Sequence, residues 1–147
     1  MAFELPKDVQ TRMAKEFEFA LQKMHDASDP GIKLYFFSAL YGETGRVLNI
    51  AWNKELALLH LALLASYQSA NNRLQAVRAG AERGVELPND YFQILETTCS
   101  DLLYLVSRTY TVEKFLSVLS RLAELTYLTT GNGYYLYTKG IIKLAAE

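Results

Sequence analysis

The densest apolar run of the chain lies between residues 56 and 65, where LALLHLALLA contains nine apolar residues and one histidine. The charge-free stretch extends further, from Leu56 to Asn72. A helix that is apolar around its whole circumference has no side for water, so protein must enclose it. The pattern therefore predicts a buried central helix at about 53–79, with the rest of the fold packed around it.

Elsewhere the apolar positions recur at steps of three and four residues, which is the pattern of helices with one buried side. The three prolines, Pro6, Pro30 and Pro88, each precede or begin a predicted helix. Gly42 and Gly45 are expected to end the second helix. Besides the central helix, the predicted helices cover 6–27, 32–41, 46–52, 91–107, 111–129 and 134–146. The sequence thus predicts an all-α, single-domain bundle of six to seven helices over residues 1–147.

Helix starts carry their own signals. Asn53 precedes the central helix and Thr111 precedes the helix that follows the break at 108–110. Side-chain oxygens of such residues accept hydrogen bonds from the free amides of a first helical turn. Both residues are therefore predicted N-caps.

One stretch has an alternative interpretation. Residues 126–138 read TYLTT, GNG and YYLYT, which are β-branched and aromatic segments around a turn and could form a hairpin. However, the apolar stripe that starts at Phe115 continues into this stretch without interruption. An isolated hairpin is also only marginally stable. Helix is favoured here.

A weak internal duplication is a second possibility. With a shift of 69 residues, segment 32–70 matches 101–139 at seven positions. Both segments would contain a tyrosine-bearing helix end, a break and a long apolar helix. Helical patterns of shared composition give similar matches by chance, so the duplication is suggestive only.

Composition narrows the function classes. The net charge is −1 and about a fifth of the residues are charged, so no overall field favours nucleic acid or an anionic membrane. The apolar run is half the length of a membrane span, and no secretory signal pattern opens the chain. The single Cys99 excludes an intramolecular disulfide framework and fits a reducing compartment. We expect a soluble, cytoplasmic protein without a membrane partner.

No constellation of residues predicts catalysis or a cofactor. The chain has two histidines, His25 and His60, and neither follows a glutamate at the spacing that metal-binding bundles use. His60 is expected to be a core histidine with one hydrogen bond, and Cys99 a core residue on an apolar stripe. We expect no metal, no cofactor and no enzyme activity.

One polar group interrupts the apolar pattern ahead of the central helix. Arg46, Asn49 and Asn53 follow one another at steps of three and four residues, beside Trp52. Glu43 is spaced to pair with Arg46. The simpler interpretation is an ion pair and helix caps within the fold. The alternative is a small-ligand pocket or a partner contact formed by Arg46, Asn49, Asn53 and Trp52.

Aromatic residues supply the leading functional hypothesis. Two predicted peripheral helices carry more tyrosine and phenylalanine than one core needs, and exposed aromatic clusters are typical of interfaces. The interface candidates are Tyr35, Tyr41, Tyr134, Tyr135 and Tyr137. These residues favour a non-enzymatic protein-interaction module that associates with itself, in the simplest form as a homodimer.

A second hypothesis is a small accessory subunit of a nucleoprotein complex, of the RNA-guided, CRISPR-like kind. Small helical subunits of such complexes have similar lengths, but the chain carries no motif that links it to them. The candidate basic residues are Arg73, Arg78, Lys139 and Lys143. An acidic block between Arg83 and Arg108 counts against nucleic-acid binding.

Overall fold

The chain folds into helices only, as predicted, in the part that the structure describes. The computed structural model describes residues 3–78, 80, 87–130 and 132–147, and it describes no side chain of 77, 78, 130 or 132–137. Six helices occupy these residues: α1 (Lys7–Asp26), α2 (Pro30–Ile50), α3 (Lys54–Arg78), α4 (Tyr91–Ser107), α5 (Val112–Thr130) and α6 (Asn132–Ala146). The all-α prediction is confirmed.

Side-chain caps define three of the helix starts. Asp29 accepts a hydrogen bond from the Ile32 amide at 3.0 Å, and Pro30 occupies the first turn of α2. Asn53 Oδ1 accepts from the Leu56 amide at 2.9 Å, and Thr111 Oγ1 accepts from the amide at 114 at 3.1 Å. The predicted caps at Asn53 and Thr111 are confirmed, because each side chain satisfies an amide that the helix itself cannot.

The predicted end of the second helix at Gly42 and Gly45 is wrong, because α2 continues without a break to Ile50. A Cβ atom at Gly45 would lie 3.2 Å from Cε1 of His60 on α3. Glycine at this position therefore lets the imidazole ring pack against the backbone of α2. Next to it, Thr44 Oγ1 lies 2.7 Å from His60 Nδ1. A glycine that looked like a helix end instead permits a close contact between two helices.

Five helices form a ring around a shared core. Within the described residues, the backbones approach closely between α1 and α2, α2 and α3, α3 and α5, α5 and α4, and α4 and α1, while α6 lies against α3 and α5. Each of the five ring helices contributes fully buried side chains to one hydrophobic cluster, among them Phe17, Phe37, Leu59, Leu95 and Phe115. The fold is thus stabilised by apolar side chains that pack between the helices.

The predicted enclosure of the central helix is not confirmed. Within α3, Leu56, Leu59 and Leu63 are fully buried, but Leu61 is 37% exposed and Leu64 is half-buried. The helix is one member of the ring and has neighbours on part of its circumference only. Periodicity did not reveal this, because an outward-facing leucine reads in the sequence like an inward-facing one.

Residues 126–138 are helical on both sides of Gly131, which lies outside the described residues. The helix interpretation is therefore confirmed in the described part, and the hairpin alternative is wrong there. The buried hydroxyls of Thr126 and Thr138 lie 3.4 Å apart and join α5 to α6. Thr129 donates a hydrogen bond of 2.7 Å to Ser69 and joins α5 to α3. Small hydroxyl side chains thus connect the three helices where they pack most closely.

The helix boundaries give no support to the 69-residue duplication, which stays a prediction. The link between α2 and α3 covers residues 51–53, and the equivalent positions 120–122 lie inside α5.

Cys99 is fully buried on α4, and burial raises the pKa of its thiol. Burial also raises the pKa of Tyr91, which starts the same helix, with a further contribution from Cys99. A buried thiol held in its neutral form is a weak nucleophile, so Cys99 contributes packing.

None of the described helices combines the length and the apolar character that crossing a membrane requires. In α3 the dense apolar run ends at Ala65, and polar residues follow.

Candidate functional site on helix α2

The outward side of α2 is a candidate functional surface because it is exposed and largely apolar. Three of its apolar side chains are well exposed: Ile32 by 50%, Tyr35 by 67% and Ile50 by 61%. At 100° per residue, Tyr35, Gly42 and Asn49 point in nearly the same direction from the helix axis. We call the side formed by Ile32, Tyr35, Ser38, Ala39, Gly42, Arg46, Asn49 and Ile50 the outer face of α2.

This outer face carries no uncompensated charge. Helix α2 has 21 residues but three charged ones, Lys33, Glu43 and Arg46. The Lys33 ammonium group is largely buried and donates to the Met24 carbonyl at 2.9 Å. Glu43 is buried and accepts two hydrogen bonds from Arg46, from Nη2 at 2.7 Å and from Nε at 3.0 Å. The predicted Glu43–Arg46 pair is confirmed, and it neutralises the one charge that the outer face presents.

The predicted polar group does not assemble into one site. Arg46 and Asn49 lie on the outer face of α2, whereas the Asn53 side chain caps α3. Trp52 is 73% exposed, and together with Asn53 it lines a cavity of ≈ 610 Å³ near the end of α6. Neither Arg46 nor Asn49 lines that cavity. The structure therefore brings Trp52 and Asn53 together and separates them from the other two residues.

Glu55, which lines the cavity beside Trp52, forms a partly buried hydrogen bond. Tyr110 donates to Glu55 Oε2 at 2.5 Å, and Glu55 is one of the lining residues. Burial raises the pKa of Tyr110, and the bond to Glu55 raises it further, so the phenol stays neutral. Phe3 packs edge-on against the Tyr110 ring at 5.4 Å between ring centroids. These contacts join α3 to the link before α5, which is a structural role.

Of the predicted interface tyrosines, Tyr35 lies on the outer face of α2. Tyr41 is half-buried and packs against Tyr67 of α3, with 5.4 Å between the ring centroids, and against His60. It belongs to the α2–α3 contact. The other three candidates, Tyr134, Tyr135 and Tyr137, lie on α6 where side chains are outside the described residues.

His60 forms the single side-chain hydrogen bond that the sequence predicted, but it is not a fully buried core residue. It is half-buried between α2 and α3, and it forms one side-chain hydrogen bond, to Thr44. Thr44 donates its hydroxyl proton to the Tyr41 carbonyl at 2.8 Å, so the threonine oxygen accepts from His60 Nδ1. His25 is exposed and pairs with Glu96 of α4 at 2.9 Å.

The predicted basic residues have different surroundings. Arg73 is half-buried and donates from Nε to the Thr129 carbonyl, which ties α3 to α5. The Arg78 side chain lies outside the described residues. Lys139 and Lys143 are exposed on α6. Arg73 therefore acts within the fold.

No group of three or more His, Cys, Asp or Glu side chains converges on a possible metal position among the residues that the structure describes. Comparison of the chain with family models, with curated proteins and with solved structures found no match.

Proposed function

We propose that this protein is a non-enzymatic helical interaction module that pairs with a second copy of itself through the outer face of α2. One observation carries the proposal: a long surface helix exposes Ile32, Tyr35 and Ile50 and has no charge without a partner. Desolvating an unpaired charge is the largest cost of burying a surface, and this surface has none. Exposed aromatic and aliphatic side chains supply the favourable part of association.

Two-fold pairing fits the order of residues along α2. In a symmetric dimer the same patch lies on both copies, and two such helices cross about a shared axis. An antiparallel crossing at Gly42 places Tyr35 of one copy beside Asn49 of the other, and Arg46 beside Ser38. The Arg46 side chains of the two copies are thus kept apart. A Cβ atom at Gly42 would meet only Arg46 Nη1, at 3.7 Å, so the glycine leaves room for close approach of the second backbone.

The expected dimer is of moderate strength. Helix α2 is about 30 Å long at 1.5 Å per residue. One helix face of that length lies at the small end of specific interfaces, for which a dissociation constant of about 10 μM is reasonable. The proposal places the protein in the cytoplasm, which agrees with its lone reduced thiol, and it includes no cofactor.

Replacing Tyr35 by lysine tests the proposal. The substitution adds an unpaired charge within the expected contact, two helical turns from its centre at Gly42, so we expect Tyr35→Lys to stay monomeric. Sedimentation velocity from about 1 to 100 μM should show the unmodified protein shifting from monomer to dimer, since this range spans the expected dissociation constant.

Phe19→Lys is the matched control, because Phe19 is 58% exposed on α1 and does not belong to the outer face of α2. It should dimerise like the unmodified protein. A monomer at every concentration, or equal dissociation by Phe19→Lys and Tyr35→Lys, would refute the proposal.

A further inference from the structure

A groove of ≈ 610 Å³ runs between α1 and α4 and has no part in the proposed dimer. The two helices are antiparallel. Gln10 Nε2 donates to the Val106 carbonyl at 3.1 Å towards one end, and His25 pairs with Glu96 towards the other. The groove therefore has two distinct ends, whose lining residues differ in chemistry.

The first end is cationic. Lys7 and Arg108 line it, and Lys15 lies about 12 Å further along α1, towards Glu18. None of these three cations forms an ion pair within the described part of the chain. The Arg108 guanidinium lies 5.2 Å from the centroid of the Tyr104 ring, which also lines the groove. A guanidinium over an aromatic ring is held in place while its N–H groups remain available. The depression that adjoins Lys7 and Lys15 adds a fourth cation, Arg12, and one carboxylate, that of Asp8.

The second end offers acceptors. Glu18 and Ser100 line it. Ser100 donates its own proton to the Glu96 carbonyl at 3.1 Å, and Ser107, nearer the cationic end, donates to the Leu103 carbonyl at 2.7 Å. Both hydroxyl oxygens therefore remain free to accept. A molecule that fits this lining carries an anionic group at one end and hydrogen-bond donors along its length.

From this arrangement we infer that the α1–α4 groove binds a small phosphate monoester with free hydroxyl groups, such as a nucleotide or a sugar phosphate. A phosphate monoester carries a charge of about −1.5 to −2 and three acceptor oxygens, which match several cations better than a carboxylate does. Lys7 and Arg108 hold the phosphate, and Lys15 lies between them and Glu18 along the groove. Ser107, Ser100 and Glu18 accept from the ligand's hydroxyl groups. The groove volume is in the usual range of small-molecule sites.

Titration calorimetry with four probes tests the inference on the intact protein. We expect saturable binding of ribose 5-phosphate, or of AMP, or of both; adenosine should not bind, and inorganic phosphate should bind more weakly than the esters. Binding of AMP alone identifies a nucleotide site, and binding of both esters identifies the sugar phosphate as the recognised part. Absence of saturation by both esters at about 10 mM overturns the inference, as does adenosine binding as tightly as AMP or inorganic phosphate binding as tightly as the esters.

Variants locate the site. Arg108→Gln and Lys7→Gln should each weaken ester binding about tenfold, since each removes a charge-assisted hydrogen bond. Lys143→Gln, which removes an exposed cation from α6, should leave binding unchanged.

Tyr104→Phe keeps the ring under Arg108 and should retain binding, whereas Tyr104→Leu should weaken it several-fold. Unchanged binding by Arg108→Gln, in a variant whose circular dichroism shows a normal helix content, contradicts the assignment. Sedimentation of the same variants reports the dimer separately, so the two proposals fail independently.

Discussion

Replacing Leu59 by alanine is expected to lower the free energy of unfolding by about 3 kcal/mol, whereas Leu61→Ala should lower it by about 1 kcal/mol or less. The two leucines lie two positions apart in the same apolar run. Leu59 is fully buried in the shared core, and Leu61 is 37% exposed on the outside of α3. Truncating the first leaves a cavity among packed side chains, while truncating the second removes a side chain that water already reaches.

Urea denaturation followed by circular dichroism measures both values under one set of conditions. Because both substitutions convert leucine to alanine within one helix, helix propensity cancels in the comparison. Equal losses would mean that α3 is enclosed on every side, as its sequence predicted, and would contradict the ring of helices.

The second large effect is expected at Gly45, where leucine should destabilise the protein by about 2 kcal/mol. Even a Cβ atom there would lie 3.2 Å from the His60 ring, and the rest of the leucine side chain has to push α2 and α3 apart. Thermal or urea unfolding gives the loss directly. Gly140→Leu on α6 is the control, because a Cβ atom at that glycine meets nothing within 4 Å.

A double variant shows whether His60 causes the loss. Removing the ring in Gly45→Leu/His60→Ala opens space for the leucine, so the double variant should lose less than the sum of the two single changes. Additive losses in the free energy of unfolding would show that the leucine clashes with a group other than the imidazole. That result would contradict the close contact described between Gly45 and His60.

The sequence was sufficient for the elements whose signals are local. The caps at Asn53 and Thr111 follow from residue type and position alone, and both are confirmed. The helical character of residues 126–130 and 132–138 followed from the continuity of one apolar stripe. These features depend on neighbours within one or two helical turns, which a single sequence displays.

Features that depend on a distant partner could not be predicted in this way. Gly45 carries the same local signal as a helix end, and only His60, fifteen residues later, shows why it lies inside α2. Similarly, nothing in LALLHLALLA distinguishes Leu59 from Leu61 until the neighbouring helices are known. Burial is a property of the packed molecule, whereas hydrophobicity is a property of the residue.

The candidate surfaces likewise combine features that the local sequence predicts with features that depend on distant residues. Tyr35 was predicted as an interface residue, and it lies exposed on α2. That every charged side chain of α2 has a partner could be seen only from the contacts of Lys33 and Glu43. The α1–α4 groove was missed altogether. Lys15 and Arg108 are far apart in sequence, and each looks like an ordinary solvated residue on its own helix.

Disulfide mapping tests most directly whether the outer face of α2 is where two copies meet. The native Cys99 is buried, with its thiol pKa raised, so a cysteine introduced at the surface is the reactive one. Gly42→Cys places a thiol at the expected two-fold axis, and Gly140→Cys places one on α6. Under mild oxidation at about 50 μM, several times the expected dissociation constant, Gly42→Cys should form a covalent dimer rapidly and Gly140→Cys should not. Equal cross-linking at both positions, or cross-linking at 140 alone, would contradict the account.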